Sequence, residues 1–461
     1  MKKLLTRASA LIMTMSLLCM NAIPTLAAAN STVPTIDAIT TEAQSTANYL
    51  LTQDDFTALS STSGFYHASH DLILGIRSGA DCTAATTAYL NAVDNILDEQ
   101  GTLDIPAGEY DNTNDIYSSY AYLLTVLAVI GKDAADYNGV NIVDTFAKLM
   151  TAASVDDFVR LDDGTLSNLN PYYIGVIYSA VDSYSELIAD SDAIIAKLKA
   201  AILKMSDANG LVFWGYSADN NGSAYPAFST LYKKDTEVKS AIDSAIEYTY
   251  NTYFNEEDGT THYIGYGSDY ASGDSTALSL ALYAQYGQME RAAKSYNALL
   301  TFKLNDINGA YDGYDPIYAS QNALTGLVTY LQSLKGLESP FNTTSEVTAI
   351  IAAKNNDNKP SEDTTEGTTD GSTEGEDTTG ATGGTADSTL NDSADSNSAN
   401  SENNSGSEAA TEVGTEDAST TQSDASNAPD TSDRTTAAIF ILMTGLSAAA
   451  IACAAPRRKE Q

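Results

Sequence analysis

Six short segments built on one pattern constrain this chain more than any other feature. STSGFY (Gly64), DEQGTL (Gly101), LDDGTL (Gly164), DANGLV (Gly210), EEDGTT (Gly259) and DINGAY (Gly309) each close a polar turn with glycine and continue with an apolar or threonine residue. The last four stand roughly 46 to 50 residues apart, a spacing that fits a supersecondary repeat. One helical pattern precedes each turn, as in AIIAKLKAAILKM or SAIDSAIEYTYNTYF, and another follows it, as in PYYIGVIYSAVDSY or SQNALTGLVTYLQSLKG. A single helical hairpin does not bury its own apolar face, so such units must stack. Stacked hairpins form either an open solenoid or a closed ring of six inner helices wrapped by six outer ones. The helix after each turn is the more apolar and the richer in Ala, Ser and Gly, as a helix crowded on both sides requires, and this favours closure.

The repeats lie in a body expected to run over residues 33–345. Cys82 is its one cysteine, because Cys19 and Cys453 belong to apolar stretches at the two ends, so the body forms no intrachain disulfide. Its stability must come from apolar burial. A formal charge of −38 repels phosphates, which excludes nucleic acid as a partner and disfavours anionic membrane surfaces. Over 355–434 the chain changes to Thr, Ser, Asp, Glu, Gly, Asn and Ala with no aromatic residue. Such a tract buries too little apolar area to offset its chain entropy and reads as a disordered, self-repelling stalk.

The two ends read as export and anchoring signals. Lys2, Lys3 and Arg7, an apolar run and the small residues Ala27, Ala28 and Ala29 make a secretory signal peptide over 1–29. Ala437 to Ala455 is uncharged and followed by Arg457, Arg458 and Lys459. That length suits a helix crossing a hydrocarbon core of roughly 30 Å, with the basic tail inside. Between stalk and helix, Ala428-Pro429-Asp430-Thr431-Ser432 keeps Pro and Thr at the interval of the sortase signal Leu-Pro-x-Thr-Gly, with Ala for Leu and Ser for Gly. Residues 428–461 therefore resemble a degenerate sorting signal. Transfer of Thr431 to peptidoglycan by a sortase and simple membrane anchoring are the two outcomes. Either one puts the body on the extracellular surface, held to the cell wall or to the cytoplasmic membrane.

The body resembles the terpenoid cyclase and protein prenyltransferase superfamily, in particular its repeat proteins on Gram-positive surfaces. The residues that carry the resemblance are the turn and aromatic of Asp207–Trp214, LLTVLAVIGKDAADYNGVNIVD from Leu123 to Asp144, GSDYASGDSTALSLALYAQYG from Gly267 to Gly287, and YASQNALTGLVTYL. The resemblance implies an all-α fold, an α/α toroid of about six helical hairpins. It also implies activities whose residues are missing here. The cyclase Asp-x-Asp-Asp has no counterpart, since RLDDG at Arg160–Gly164 lacks the first Asp. The Asp, Cys and His of a prenyltransferase zinc site would fall to Asp81 and Cys82 on an outer helix, with only His67, His70 and His262 to complete it. In place of the thioester proteins' Cys-Gly-Glu-Gln stands Cys82-Thr83-Ala84-Ala85.

Three groups of residues are candidates for a site. His67, His70 and Asp71 share one helical face at a spacing that can hold a metal. No distant ligand accompanies them, and polar residues at a helix start are the plainer reading, so neither metal nor cofactor is expected. Asp115, Asn170, Asp274 and Asn322 precede or open inner helices, where short polar side chains cap free N–H groups; in a toroid such starts converge on one mouth. Tyrosine is over-used, 28 against 10 Phe and one Trp, and Tyr117, Tyr120, Tyr172, Tyr173, Tyr225, Tyr266 and Tyr270 cluster at the same starts. An aromatic ring with a hydroxyl suits a sugar or peptide ligand, or equally the packing between helices.

With no catalytic residue assigned, the sequence points to a surface-displayed, non-catalytic binding protein that presents a Tyr-lined toroid to an extracellular ligand. The ligand is a carbohydrate, peptide or small molecule. The alternatives are an extracellular enzyme acting on carbohydrate or isoprenoid, and a structural spacer. Two carboxylates facing each other across the cavity, about 5 to 10 Å apart, would signal the enzyme, and a cavity filled by the body's own side chains the spacer.

Overall fold

The computed structural model describes residues 33–357, apart from 55, 57–58, 60, 106–114, 160–170, 213–216 and 266–267. The expected signal peptide, stalk, sorting motif and terminal helix lie outside the described residues, as do Gly164, Asn170, Trp214 and Tyr266. No helix among the described residues is long and apolar enough to cross a membrane.

The described chain alternates outer and inner helices in six pairs. These are α1 (Ile36–Leu50) with α2 (Thr62–Ser78), α3 (Thr83–Ile96) with α4 (Ile116–Val129), and α5 (Ile142–Ala152) with α6 (Ile174–Ser183). Then come α7 (Ser191–Met205) with the broken inner segment α8 (Ala218–Ala224), a 3-10 turn Tyr225–Phe228 and α9 (Ser229–Lys234). The last two pairs are α10 (Thr236–Tyr253) with α11 (Gly273–Gln285), and α12 (Met289–Leu299) with α13 (Pro316–Leu334). Each inner helix packs on the next: α2 on α4, α4 on α6, α6 on the turn after α8, α8 on α11, and α11 on α13. Helix α13 returns to α2 and closes the ring. The fold is an all-α toroid, as the pattern of turns requires.

Inner helices pack on both sides, and their sequences show how. Every residue of α4 from Ser118 to Ala128 is buried, which leaves no polar face. Small residues set the spacing. A Cβ on Gly222 would stand 2.5 Å from the Leu278 carbonyl oxygen, and one on Gly326 2.5 Å from that of Ala277, so α8, α11 and α13 meet backbone to backbone. Outer helices are amphipathic by contrast. Helix α5 buries Ile142, Val143, Phe146 and Met150 at helical spacing and leaves Asp144 and Lys148 in solvent.

The glycine turns are small antiparallel hairpins between an outer helix and the mouth. Leu97 bridges Leu103 around Gly101, Phe254 bridges Thr261 around Gly259, and Lys303 bridges Tyr311 around Gly309. The fourth is a two-residue ladder of β1 (Ser206–Asp207) and β2 (Gly210–Leu211). All four glycines have positive φ, from 78° to 111°, a region open to glycine at little cost. After each turn a backbone N–H donates to a side chain of the following inner segment: Leu103 to Tyr120 at 3.0 Å, Leu211 to Asn221 at 2.9 Å, Thr261 to Thr276 at 2.9 Å and Tyr311 to Ser320 at 3.0 Å. One chemical device, with four different acceptors, locks each hairpin to the ring. Gly64 departs from the expected pattern. It lies in the first turn of α2, where its N–H is capped by Ser61 Oγ at 3.0 Å.

The packed body also runs past the expected boundary at 345. Helix α14 (Thr344–Asp357) lies on α4 and α6. Ion pairs Arg77–Glu346 and Lys354–Asp133 hold it there.

Candidate functional site

Inside the ring, Tyr66 of α2 packs edge-on against Tyr122 of α4 and at a tilt against Tyr173 at the start of α6, with ring centroids 5.4 and 5.1 Å away. Phe341, from the segment after α13, packs on Tyr122 and His70. This part of the interior is filled by the chain's own aromatic rings.

Beside them lies the seam between the last inner helix and the first. Gln321 Nε2 donates to Asp71 Oδ2 at 2.8 Å, and Gln321 Oε1 meets His67 Nδ1 at 3.0 Å. His70 meets Asp71 Oδ1 at 2.8 Å through Nδ1 and Thr325 Oγ1 at 3.0 Å through Nε2. Burial lowers the His70 pKa to about 4, against the pull of Asp54, so the imidazole is neutral. Asp54, from the segment joining α1 to α2, stands against Asp71. Burial, and for Asp54 also the neighbouring carboxylate, raises both pKa values well above the usual range. Two such carboxyls hold a proton between them rather than two charges. His67, His70 and Asp71 are thus committed to one another and to α13. No group of three His, Cys, Asp or Glu side chains among the described residues is placed to hold a metal.

A second pair of carboxyls lies at the mouth. Asp219 sits in the first turn of α8, after Ser217, whose Oγ accepts from Asp219 N at 3.0 Å. Asp274 sits in the first turn of the adjacent α11, after the Ser272 cap. The two have different surroundings. Asp274 Oδ1 accepts from Asn322 Nδ2 at 2.8 Å and Oδ2 from Tyr314 N at 3.2 Å, whereas Asp219 Oδ1 is buried with no hydrogen-bond partner. Burial raises Asp219 to a pKa of about 6, opposed by the nearby Ser275 hydroxyl and reinforced by the charge of Asp274. Asp274 is also raised by burial, but the Asn322 and Tyr314 donors favour its ionised form. Unequal environments of this kind separate an acid from a base.

A hairpin of β3 (Thr261–Gly265) and β4 (Ser268–Ser272) leads directly into α11. Tyr263 pairs with Tyr270 across it, their rings 5.6 Å apart on one face, while His262 and Asp269 bond on the other. Burial and the nearby charges of Asp219 and Asp274 raise the Tyr270 phenol above its ordinary pKa.

The other expected site residues are dispersed. Asp115 precedes α4 and is buried, yet its side chain makes no cap bond there. Tyr117 packs on Phe158, 5.7 Å between centroids. The Tyr172 hydroxyl reaches Asn220 Oδ1 at 3.4 Å, beside Asp219. Tyr225 is fully buried with its hydroxyl on Ser206 at 2.9 Å, inside the wall rather than at the mouth. Asn322 lies beyond the first turn of α13, whose cap is Asp315, and Asp274 follows its cap instead of forming it. Asp219 and Asp54 were not among the expected residues. The signal for Asp219 was Asp219-Asn220-Asn221, three polar residues where an inner helix should be apolar.

No protein-family model matches the chain, and no curated protein matches it. Among solved structures it is similar to a possible member of the GH105 family from Salmonella enterica subsp. enterica serovar Paratyphi A, at 11% identity and a TM-score of 0.44, over 68% of this chain and 98% of that one. A wild-type glycosidase gives 14% identity and a TM-score of 0.41, again over 68% and 98%. A glycosidase variant in complex with glucose gives 16% and 0.39, over 69% and 97%. At these values the toroid rests on the closed ring of helix contacts and not on the likeness.

Proposed function

We propose that the toroid is a carbohydrate-active enzyme that hydrolyses glycosidic bonds at its mouth, with Asp219 as general acid and Asp274 as the ionised partner. The observation that carries this reading is the unequal pair itself: a half-buried carboxyl, its Oδ1 shut away from solvent with only the Ser275 hydroxyl near and its pKa raised, on the helix adjacent to a carboxylate fixed by two donors. Glycoside cleavage needs a proton for the leaving oxygen and a negative group for the cationic anomeric carbon or its water. In this reading Asp219, protonated up to about pH 6, supplies the first, and Asp274, whose ionised form the Asn322 and Tyr314 donors favour, supplies the second. The expectation of a non-catalytic binder gives way to its enzymatic alternative on this ground. The solved glycosidases are too distant to argue from. The test is release of reducing ends from a panel of oligosaccharides between pH 4 and 7. Hydrolysis lost at least about a hundredfold in both Asp219→Asn and Asp274→Asn supports the assignment. No release from any glycan, or release unchanged in both variants, overturns it.

Export and surface display through residues 1–29 and 428–461 belong to the same proposal, since a secreted hydrolase without disulfides needs only its apolar core outside the cell. Muramidase-released protein should yield a peptide ending at Thr431. Intact peptides spanning Thr431 and Ser432 in the membrane fraction would establish anchoring alone.

A further inference from the structure

We infer that the mouth selects glycans without acidic groups, held by an aromatic rim of Tyr270 and Tyr314; the inference rests on the mouth reading above and adds its substrate class. Two independent observations lead to it. The first is exposure: Tyr270 is 51% and Tyr314 62% exposed, and both flank the same carboxylate. Tyr314 is tied to Asp274 through its backbone N–H, and Tyr270 stands four residues before Asp274 with its phenol in the field of both carboxyls. Large rings left in solvent beside half-buried carboxyls are in place to stack on the apolar face of a sugar ring. The Tyr263–Tyr270 pairing on one face of the hairpin extends that surface outward, as a chain of several sugars would use it.

The second observation is the sign of the field. Asp219, Asp274 and Asp315 stand at the starts of the neighbouring inner segments α8, α11 and α13, and the N–H of Tyr314, next to Asp315, donates to Asp274, so three carboxyls share this end of the ring. Like charges brought close in a partly buried site repel strongly, so a uronic or sulfated residue at this mouth is disfavoured while a neutral one is accepted. Tyrosine supplies apolar area and adds no charge, which suits the same ligand.

The experiment is calorimetric titration of the full chain carrying Asp219→Asn, so that binding is read without turnover. The probes are pentasaccharides of glucose, of N-acetylglucosamine and of galacturonate, at low ionic strength. At least one neutral pentamer should bind, and at least about tenfold more tightly than the uronate. Tyr270→Ala and Tyr314→Ala should each weaken that binding about three- to tenfold, with Tyr270→Phe near the parent. Both tyrosines are solvent-exposed, and an unchanged melting temperature in either variant keeps the reading valid. Uronate binding equal to or tighter than neutral binding overturns the inference, as does loss of neither contact in the two alanine variants, or no binding by any probe. If the neutral glycan binds through the tyrosines but the unaltered chain never cleaves it, hydrolysis fails while the selectivity stands.

Discussion

Gln321 and Asp71, 250 residues apart in sequence, are joined by a 2.8 Å hydrogen bond that closes the ring. The amide oxygen of the same Gln321 meets His67, so one side chain on α13 holds two residues of α2. An open stack of hairpins would have no use for such a bond, since its first and last units never meet.

Gln321→Ala should therefore destabilise the whole body, by about 2 to 3 kcal/mol, because it leaves a fully buried carboxyl short of a donor as well as removing the contact itself. A urea melt reads the change as a lower midpoint at constant slope. A loss below about 0.5 kcal/mol, typical of surface substitutions, would mean that the seam does not hold the ring.

The Asp54–Asp71 pair gives the stability a pH dependence of definite sign. In the unfolded chain both titrate near 3.8, and in the folded ring both are raised, chiefly by burial. The folded state then binds more protons, so stability is fully present below 3.8 and falls as pH rises through the raised values. His70 acts in the opposite sense, but only between about 4 and 6.5, and Asp219 has finished its change above about 6. From pH 6.5 to about 9 the melting temperature should fall. Asp54→Asn should flatten that slope; a wild-type profile already flat over this interval would contradict the shared proton.

Gly222→Ala probes the close approach of inner helices. Its methyl group would meet the Leu278 carbonyl oxygen at 2.5 Å, and neither backbone yields without moving a helix. The expected cost is about 2 to 3 kcal/mol, at the upper end of overpacking changes. Gly131→Ala is the control with no steric neighbour, where only the positive φ opposes the substitution. Equal melting temperatures for the two variants would show that the contact at Gly222 is not limiting.

The ring was legible in the sequence because its devices are local. Gly101, Gly210, Gly259 and Gly309 mark turns that only neighbouring residues define, and small residues after each turn announce an inner helix. Gly64 misled because a serine cap and a glycine turn look alike until Ser61 is seen to cap α2. The site was less legible because its partners are distant. Asp71 depends on Gln321, and Asp274 on Asn322, pairings that no periodicity reveals. Tyrosines were found in the right region but not sorted: Tyr225 is consumed by Ser206, whereas Tyr270 faces solvent. Asp219 carried a signal, a polar run in an inner segment, that composition alone does not weigh.

Asn322 offers the sharpest test of the proposed hydrolysis, since its amide donates to Asp274, the group assigned there as the ionised partner. Its amide donor favours the ionised form of Asp274, so Asn322→Ala should raise the Asp274 pKa further. In the proposed hydrolysis the ionised form is the active one. The acid limb of the pH–rate profile should therefore move to higher pH, with the loss of rate largest at the acid end. The basic limb belongs to Asp219, whose pKa is raised to about 6 chiefly by burial, and it should move less than the acid limb, because Asn322 acts on that residue only through the charge of Asp274. Asn322→Ser, a shorter donor, should return part of the shift. A residue that merely packed between α11 and α13 would lower the rate equally at every pH. A profile scaled down with both limbs unmoved would assign Asn322 to packing and take Asp274 out of its role as the ionised group.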